Sequence, residues 1–223
     1  MRICILAVTK AYDGYCIAGM TTDEGEWIRP IPSNGESRFW KPNQLTTEQH
    51  GFLRVGDVLE FDGQRPQRFQ HPNHTEDFEV LGNMTLCQRF SNEELINFLQ
   101  NKEESEQAFH DTVHARGRSL CLVKVDGFRH EITQWHDDPP KPKMTFTKDS
   151  FNVANPKTDS GNYIVKDCKL APLVLNNTIN NDEAYDELYL AIGLATKFNG
   201  TEYPQVVGLH SEPSIPYLHT YPN

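Results

Sequence analysis

Five short β-type stretches fill about the first 80 residues, with no helical pattern between them. Ile3 to Val8 and Gly14 to Met20 are separated by the turn Lys10-Ala-Tyr-Asp-Gly14. Asp23-Glu24-Gly25 then leads into Glu26-Trp-Ile-Arg-Pro-Ile31, where apolar and polar residues alternate with the period of two of a half-buried strand. Pro30 and Pro32 place that strand at an edge or end it, because proline donates nothing to a ladder. Val55 to Phe61, entered through Gly56-Asp57, and Asp77 to Leu81 complete the set. Strands this short and this closely spaced bury their apolar faces by closing into a small barrel.

Ser91-Asn-Glu-Glu94 is a capping box, and Leu95, Ile96, Phe98 and Leu99 follow at helical spacing. The pattern predicts a helix whose acidic continuation runs to about residue 110, within a helical connector over residues 86–117. Strands resume at Ser119 to Val125 and Phe128 to Trp135. Past the proline-stiffened loop Asp137 to Lys143, they are expected again over 143–148, 162–166, 188–198 and 203–210. Asn199-Gly200 is the strongest hairpin signal, residues 176–186 read as loop or short helix, and the tail shows no clear element. The expected architecture is mainly β: barrels at 1–85 and 118–212, the connector 86–117 between them, and a C-terminal tail at 213–223. Each barrel is expected to be closed or nearly so, with helix below about a third of the chain.

The chain carries 21 basic and 31 acidic residues, a net charge of −10. Residues 91–111 hold Glu93, Glu94, Glu103, Glu104, Glu106 and Asp111 against Lys102 alone, and 176–188 hold Asp182, Glu183, Asp186 and Glu187 with no base. These two runs contribute −5 and −4, so the rest is near neutral and a local basic groove is compatible with the acidic total. Both runs read as solvated surface, where Glu103→Gln and Glu104→Gln would change stability by no more than about 0.5 kcal/mol. Five cysteines at 4, 16, 87, 121 and 168 form no close pair and no C-x-x-C, and read as reduced and structural. No apolar run approaches the ~18–20 residues of a membrane span, and Arg2 to Val8 lacks the features of a secretory signal. The reading is a soluble, cytoplasmic protein.

Trp27, Arg29, Arg38, Phe39 and Trp40 mix aromatic rings with guanidinium groups, the combination that single-strand binding uses for bases and phosphates. Strand alternation puts Trp27 and Arg29 on one face, and a strand ended by Pro30 would present Arg29 at the barrel rim. Arg65 and Arg68 with Phe69 form a second, loop-borne set, and Lys10, Tyr12 and Tyr15 a third. The structural alternative has Trp27 filling the core and Arg29 pairing with a carboxylate such as Glu26 or Glu76. His71 and His74 beside Glu76 and Asp77 form a carboxylate–imidazole group suited to acid–base work, but no nucleophile motif accompanies it. His110 and His114 stand four apart without a third ligand at a metal-binding spacing, and no phosphate loop is present. No catalytic residue, metal or cofactor is assigned.

Tyr15-Cys-Ile-Ala-Gly19 and Gly25-Glu-Trp-Ile-Arg-Pro30 resemble the opening of the bacterial dual OB-domain family, a "YC-aliphatic-AG" hairpin followed by a "WIRP" strand. Pro72-Asn-His-Thr-Glu-Asp77 is similar to that family's "P-x-x-H/Q-x-E-D/N" segment, and Arg118 to Lys124 to the opening strand of its second barrel. Leu188 to Phe198 with Val206-Val-Gly-Leu209 resembles its closing hairpin, although Pro204-Gln-Val-Val-Gly208 stands where a basic residue and alanine are expected. The resemblance implies two OB-like barrels, a role in nucleic-acid binding and no established reaction. The expected function is a non-catalytic protein that binds single-stranded or modified nucleic acid through an aromatic and arginine face of the first barrel. Candidate contacts are Tyr15, Trp27, Arg29, Arg38, Trp40, Arg65, Arg68, His74, Glu76 and Arg118. One alternative is a nucleotide or signalling nucleotide in a cleft between the barrels, and another an enzyme built on His74 and Glu76.

Overall fold

The computed structural model describes all residues except 13, 34–36, 182, 219–221 and 223, so Asp13 of the first turn, Asp182 of the second acidic run and the end of the tail lie outside the described residues. The first unit contains β1 (Arg2–Ala11), β2 (Gly14–Thr21), β3 (Trp27–Pro32), the short pair β4 (Thr46–Thr47) and β5 (Gly51–Phe52), β6 (Asp57–Gln64) and β7 (Asp77–Arg89). β1, β2, β3, β7 and β6 form a closed barrel in that order. All five strands expected in this region are present, and β7 runs on past residue 85.

The barrel closes at two joints. β1 pairs antiparallel with β6, Ile3 opposite Leu59, and β3 pairs parallel with β7, Arg29 opposite Asp77. Pro30 does not end β3, which continues through Pro32. The Arg29 amide donates to Glu76 O at 2.7 Å, and alternation turns the nitrogens of Pro30 and Pro32 away from β7. A bulge between Ile5 and Ala7 leaves Leu6 unmatched in β1.

The capping box forms as expected: Glu94 N donates to Ser91 Oγ at 3.2 Å, and Ser91 N to Glu94 Oε2 at 2.7 Å. The single long helix does not form. α1 (Asn92–Leu99) ends early, and α2 (Glu106–Val113) starts anew under a Ser105 cap. The break lets Glu104 turn inward.

The second unit holds β8 (Leu120–Lys124), β9 (Gly127–Thr133), β10 (Lys141–Thr147), β11 (Tyr163–Val165), the short α3 (Leu170–Leu175), β12 (Glu187–Leu194) and β13 (Pro204–Glu212). Its sheet has the order β8-β12-β13-β11-β10-β9, with β11 and β13 parallel. Closure of the second barrel is therefore incomplete. β8 and β9 are the two edges, joined through Val125 and Asp126, whose amides donate to Leu188 O and Thr147 O rather than to a β8–β9 ladder. Asn199 and Gly200 both take positive φ, 49° and 82°, as the expected hairpin turn requires. The chain is 43% strand and 12% helix, a mainly β fold. Among the described residues no helix is long and apolar enough to cross a membrane.

The two units share an apolar seam. Leu120, Leu122, Tyr189, Ala191 and Val207 of the second belong to the same buried cluster as the first barrel's core. Cys168 N donates to Val8 O at 2.9 Å across the seam. A Cβ on Gly208 would stand 2.2 Å from Leu6 O, so the chains meet there backbone to backbone. In the tail, Ile215 enters the second core, while the Tyr217 hydroxyl donates to Val55 O of the first unit at 3.4 Å.

Glu104 overturns the expectation that the acidic run is all solvated surface. Its Oε2 accepts from Trp27 Nε1 at 2.7 Å and from Leu122 N at 2.8 Å, and its Oε1 from Arg118 Nη2. Glu103 makes one ion pair, with Lys148 at 2.9 Å. Glu104→Gln should cost about 1–3 kcal/mol, because its amide nitrogen turns at least one of these acceptors into a donor. Glu103→Gln should stay within about 0.5 kcal/mol. Urea denaturation of the two variants checks the contrast, and equal small losses would refute it.

Candidate functional site

The parallel joint of β3 and β7 brings Arg29 and Asp77 together inside the molecule. Arg29 is 5% exposed; its Nη1 donates to Asp77 Oδ1 at 2.9 Å and its Nη2 to Ser119 Oγ at 2.7 Å. Ser119 Oγ in turn donates to Glu76 Oε2 at 2.8 Å, and Glu76 Oε1 accepts from the amides of Ser119 and Leu120 at 2.8 and 3.0 Å. Arg38 reaches in from its loop, donating to Asp77 Oδ2 at 2.5 Å and to His74 Nδ1 at 3.0 Å. With Nδ1 accepting, the ring proton sits on Nε2. That nitrogen faces Glu202 Oε1 at 4.0 Å, beyond hydrogen-bond reach, and both atoms are buried without a partner among the described residues. The other Glu202 oxygen accepts from Asn73 at 2.6 Å. Burial, with the charges of Arg29 and Arg38 behind it, holds the pKa of His74 far below the usual imidazole value.

Four of the sequence candidates, Arg29, Arg38, His74 and Glu76, thus meet in one network. Trp27 and Arg118 meet elsewhere, at Glu104. Tyr15 and Trp40 are buried in the barrel and bond each other's backbone at 2.8 Å, with Trp40 Nε1 donating to Pro30 O. Arg65 pairs with Glu26 at the surface, and Arg68 is exposed. The expected rim position of Arg29 and the open stacking face at Trp27 are therefore corrected. Both side chains are buried and bonded within the chain, because β3 lies in a barrel joint and not at an edge. Glu76 and His74 point to different partners, Glu76 to the second unit's amides and His74 to Arg38. His110 and His114 have ring centroids 6.1 Å apart, and among the described residues no group of three ligating side chains is placed to hold a metal.

Against this network opens a cleft of about 340 Å³ between the two units. Its buried part is lined by Ala7, Ala18, Arg29 and His74 of the first unit and Leu120, Gly193 and Val207 of the second. Lys10, Tyr12, Phe39, Lys166 and Thr196 line the outer part, with Arg38 between. Among the described residues, four basic side chains line the cleft and no carboxylate does. Tyr12, 83% exposed, has its ring centroid 5.6 Å from that of Phe39. Sequence reasoning reached Lys10, Tyr12 and Phe39 as neighbours of its candidates but missed Lys166 and Thr196. Nothing local to either residue marks it; only the packing of the second unit on β1 brings them to the cleft. Small residues at 7, 18 and 193 leave the space, and at 193 a Cβ would already meet Val207 at 2.9 Å.

Arg29→Ala should destabilise the fold by about 3–5 kcal/mol, because it removes the buried partner of Asp77 Oδ1 and Ser119 Oγ and leaves Arg38 on Asp77 Oδ2 alone. A melting temperature that barely moves would overturn the pairing. A second expectation concerns pH. His210 of β13 is fully buried, and burial first, then Lys169, pushes its pKa down to about 3 against a smaller opposing pull from the backbone of Leu6. His74 is lowered in the same direction. Unfolded histidine titrates near pH 6.5, so below that the unfolded chain takes up protons that the folded chain refuses. Stability is full above about pH 6.5 and falls as the pH drops towards 3, by up to about 1.4 kcal/mol per pH unit per histidine. Urea midpoints at pH 7.5 and pH 5 test this, and His210→Leu should reduce the slope.

Comparison with the curated proteins and with the solved structures finds no match to this chain. A family model described as the dual OB-containing domain matches residues 1–209. A closed five-stranded barrel packed against a second curled β-sheet agrees with that match in architecture as well as in sequence. The chain belongs to the dual OB-containing domain family.

Proposed function

We propose that this protein is a binding module that takes a nucleotide-class ligand, a planar ring carrying an anionic group, in the cleft between its two units. The observation that carries this reading is the lining itself. In a chain of net charge −10, the cleft presents Lys10, Arg29, Arg38 and Lys166 and, among the described residues, no acidic side chain. The two lysines at the opening favour an anionic group there, while Asp77 offsets the two arginines at the floor. Alanine, leucine and valine side chains supply apolar walls, and Phe39 with Tyr12 supplies ring faces near the opening. A cleft of about 340 Å³ stands at the small end of the range for small-molecule sites, which suits one nucleotide.

Single-stranded nucleic acid is the second reading, and the exposed aromatics favour it. Tyr12 and Phe198 are 83% and 69% exposed, and the loop that carries Thr196 also carries Lys197 and Phe198. Exposed rings interleaved with lysines form a surface on which a strand can stack. In this reading the contacts lie at the cleft opening, not at Trp27 and Arg29.

A thermal-shift screen of nucleoside mono-, di- and triphosphates, beside labelled oligonucleotides at two salt concentrations, tests both. A ligand at about 100 times its Kd should add about 2.7 kcal/mol and raise Tm by roughly 5–10 °C. A shift with free nucleotides supports the first reading. Oligonucleotide binding with a steep salt slope and no mononucleotide shift supports the second. Neither response from any of these probes would remove both.

A further inference from the structure

The cleft is polarised along its depth. Around its floor stand two positive groups, Arg29 and Arg38, and three negative ones, Asp77, Glu76 and Glu202. Asp77 binds both guanidinium groups, so the floor has no surplus positive charge to receive a phosphate, and a dianion there would face three carboxylates. Arg38, which lines the cleft, also holds an unused donor. Arg38 Nε is buried and has no partner among the described residues, although the other end of the same guanidinium is held by Asp77 and His74. A neutral acceptor, such as a ring nitrogen or carbonyl of a nucleobase, satisfies such a donor without bringing a charge in. The outer part is the reverse. Lys10 and Lys166 are exposed, and among the described residues neither has a carboxylate partner.

We propose that a nucleotide enters this cleft ring first, with an acceptor of its base at Arg38 Nε and its phosphate left at the mouth between Lys10 and Lys166. This rests on the nucleotide reading above and adds the direction of binding. The site then selects for the base, while the phosphate adds affinity without being enclosed. A phosphate held at the mouth is also the point where a strand would continue. The same chemistry therefore comes either from a free nucleotide or from the terminal nucleotide of a nucleic-acid chain.

Calorimetric titration of the full chain tests the direction. The probes are the four ribonucleosides, their 5′-monophosphates, inorganic phosphate, and a short single strand with the preferred base at its 3′ end, which leaves its phosphate on the 5′ side. The expected result is that one nucleoside binds, that its monophosphate binds about tenfold more tightly at low salt, and that inorganic phosphate does not compete. Lys10→Ala with Lys166→Ala, both at exposed positions, should collapse the monophosphate's advantage to near one. Inorganic phosphate that displaces the nucleotide, or a double variant that keeps the full advantage, would overturn the ring-first direction while leaving the nucleotide reading standing. If no nucleoside, nucleotide or strand binds, both fall together. Between the sources, a strand that binds at least as tightly as the monophosphate assigns the site to nucleic-acid ends, and a strand that is excluded assigns it to free nucleotides.

Discussion

Ser119 Oγ accepts a hydrogen bond from Arg29 and donates one to Glu76, and through that hydroxyl the buried charges of the first barrel are tied to the opening strand of the second unit. The rest of the arrangement follows from it. Asp77 can hold two guanidinium groups because Arg29 has a second acceptor in Ser119. Glu76 is stable as a buried carboxylate because two amides and the hydroxyl surround it. Such networks are strong when every member is satisfied and costly when one is missing. Among the described residues, Arg38 Nε, His74 Nε2 and Glu202 Oε1 are left unsatisfied, and Arg38 and His74 also line the cleft.

Much of the fold could be read from local pattern. The strands of the first barrel, the Ser91 capping box and the Asn199-Gly200 turn each depend on residues within a few positions of one another, and each formed as read. The candidate site was legible only as a set of residue types. Arg29 and Trp27 were visible as unusual side chains on one strand, but their partners, Ser119 and Glu104, lie 90 and 77 residues away. Alternation says which residues share a face, and it does not say whether that face meets solvent or a second domain. The parallel joint of β3 with β7 decided the matter, and no periodicity in either strand signals parallel pairing.

Charge counted along the sequence says little about where each charge ends up. The acidic run around residue 104 looked like surface, yet one of its carboxylates joins Trp27, Arg118 and Leu122 across the two units. The acidic total left room for a local basic groove, and the cleft gathers basic residues that stand far apart in sequence, from Lys10 to Lys166. Net charge governs solubility and long-range steering. Recognition depends on the few groups that line a particular space, and those are set by packing.

The close approach at Gly208 bears on how such a molecule can vary. With Leu6 O 2.2 Å from the position a Cβ would take, every residue type but one is shut out by a backbone atom that no rotamer change can move. Leu6 is itself the bulged residue of β1, so the inserted position in one half and the missing side chain in the other form a matched lock and key. Neither half could accept a foreign partner of the same fold unless that partner carried the complementary irregularity at the same height. A second half with any side chain at the position of Gly208 would collide with β1 at this joint.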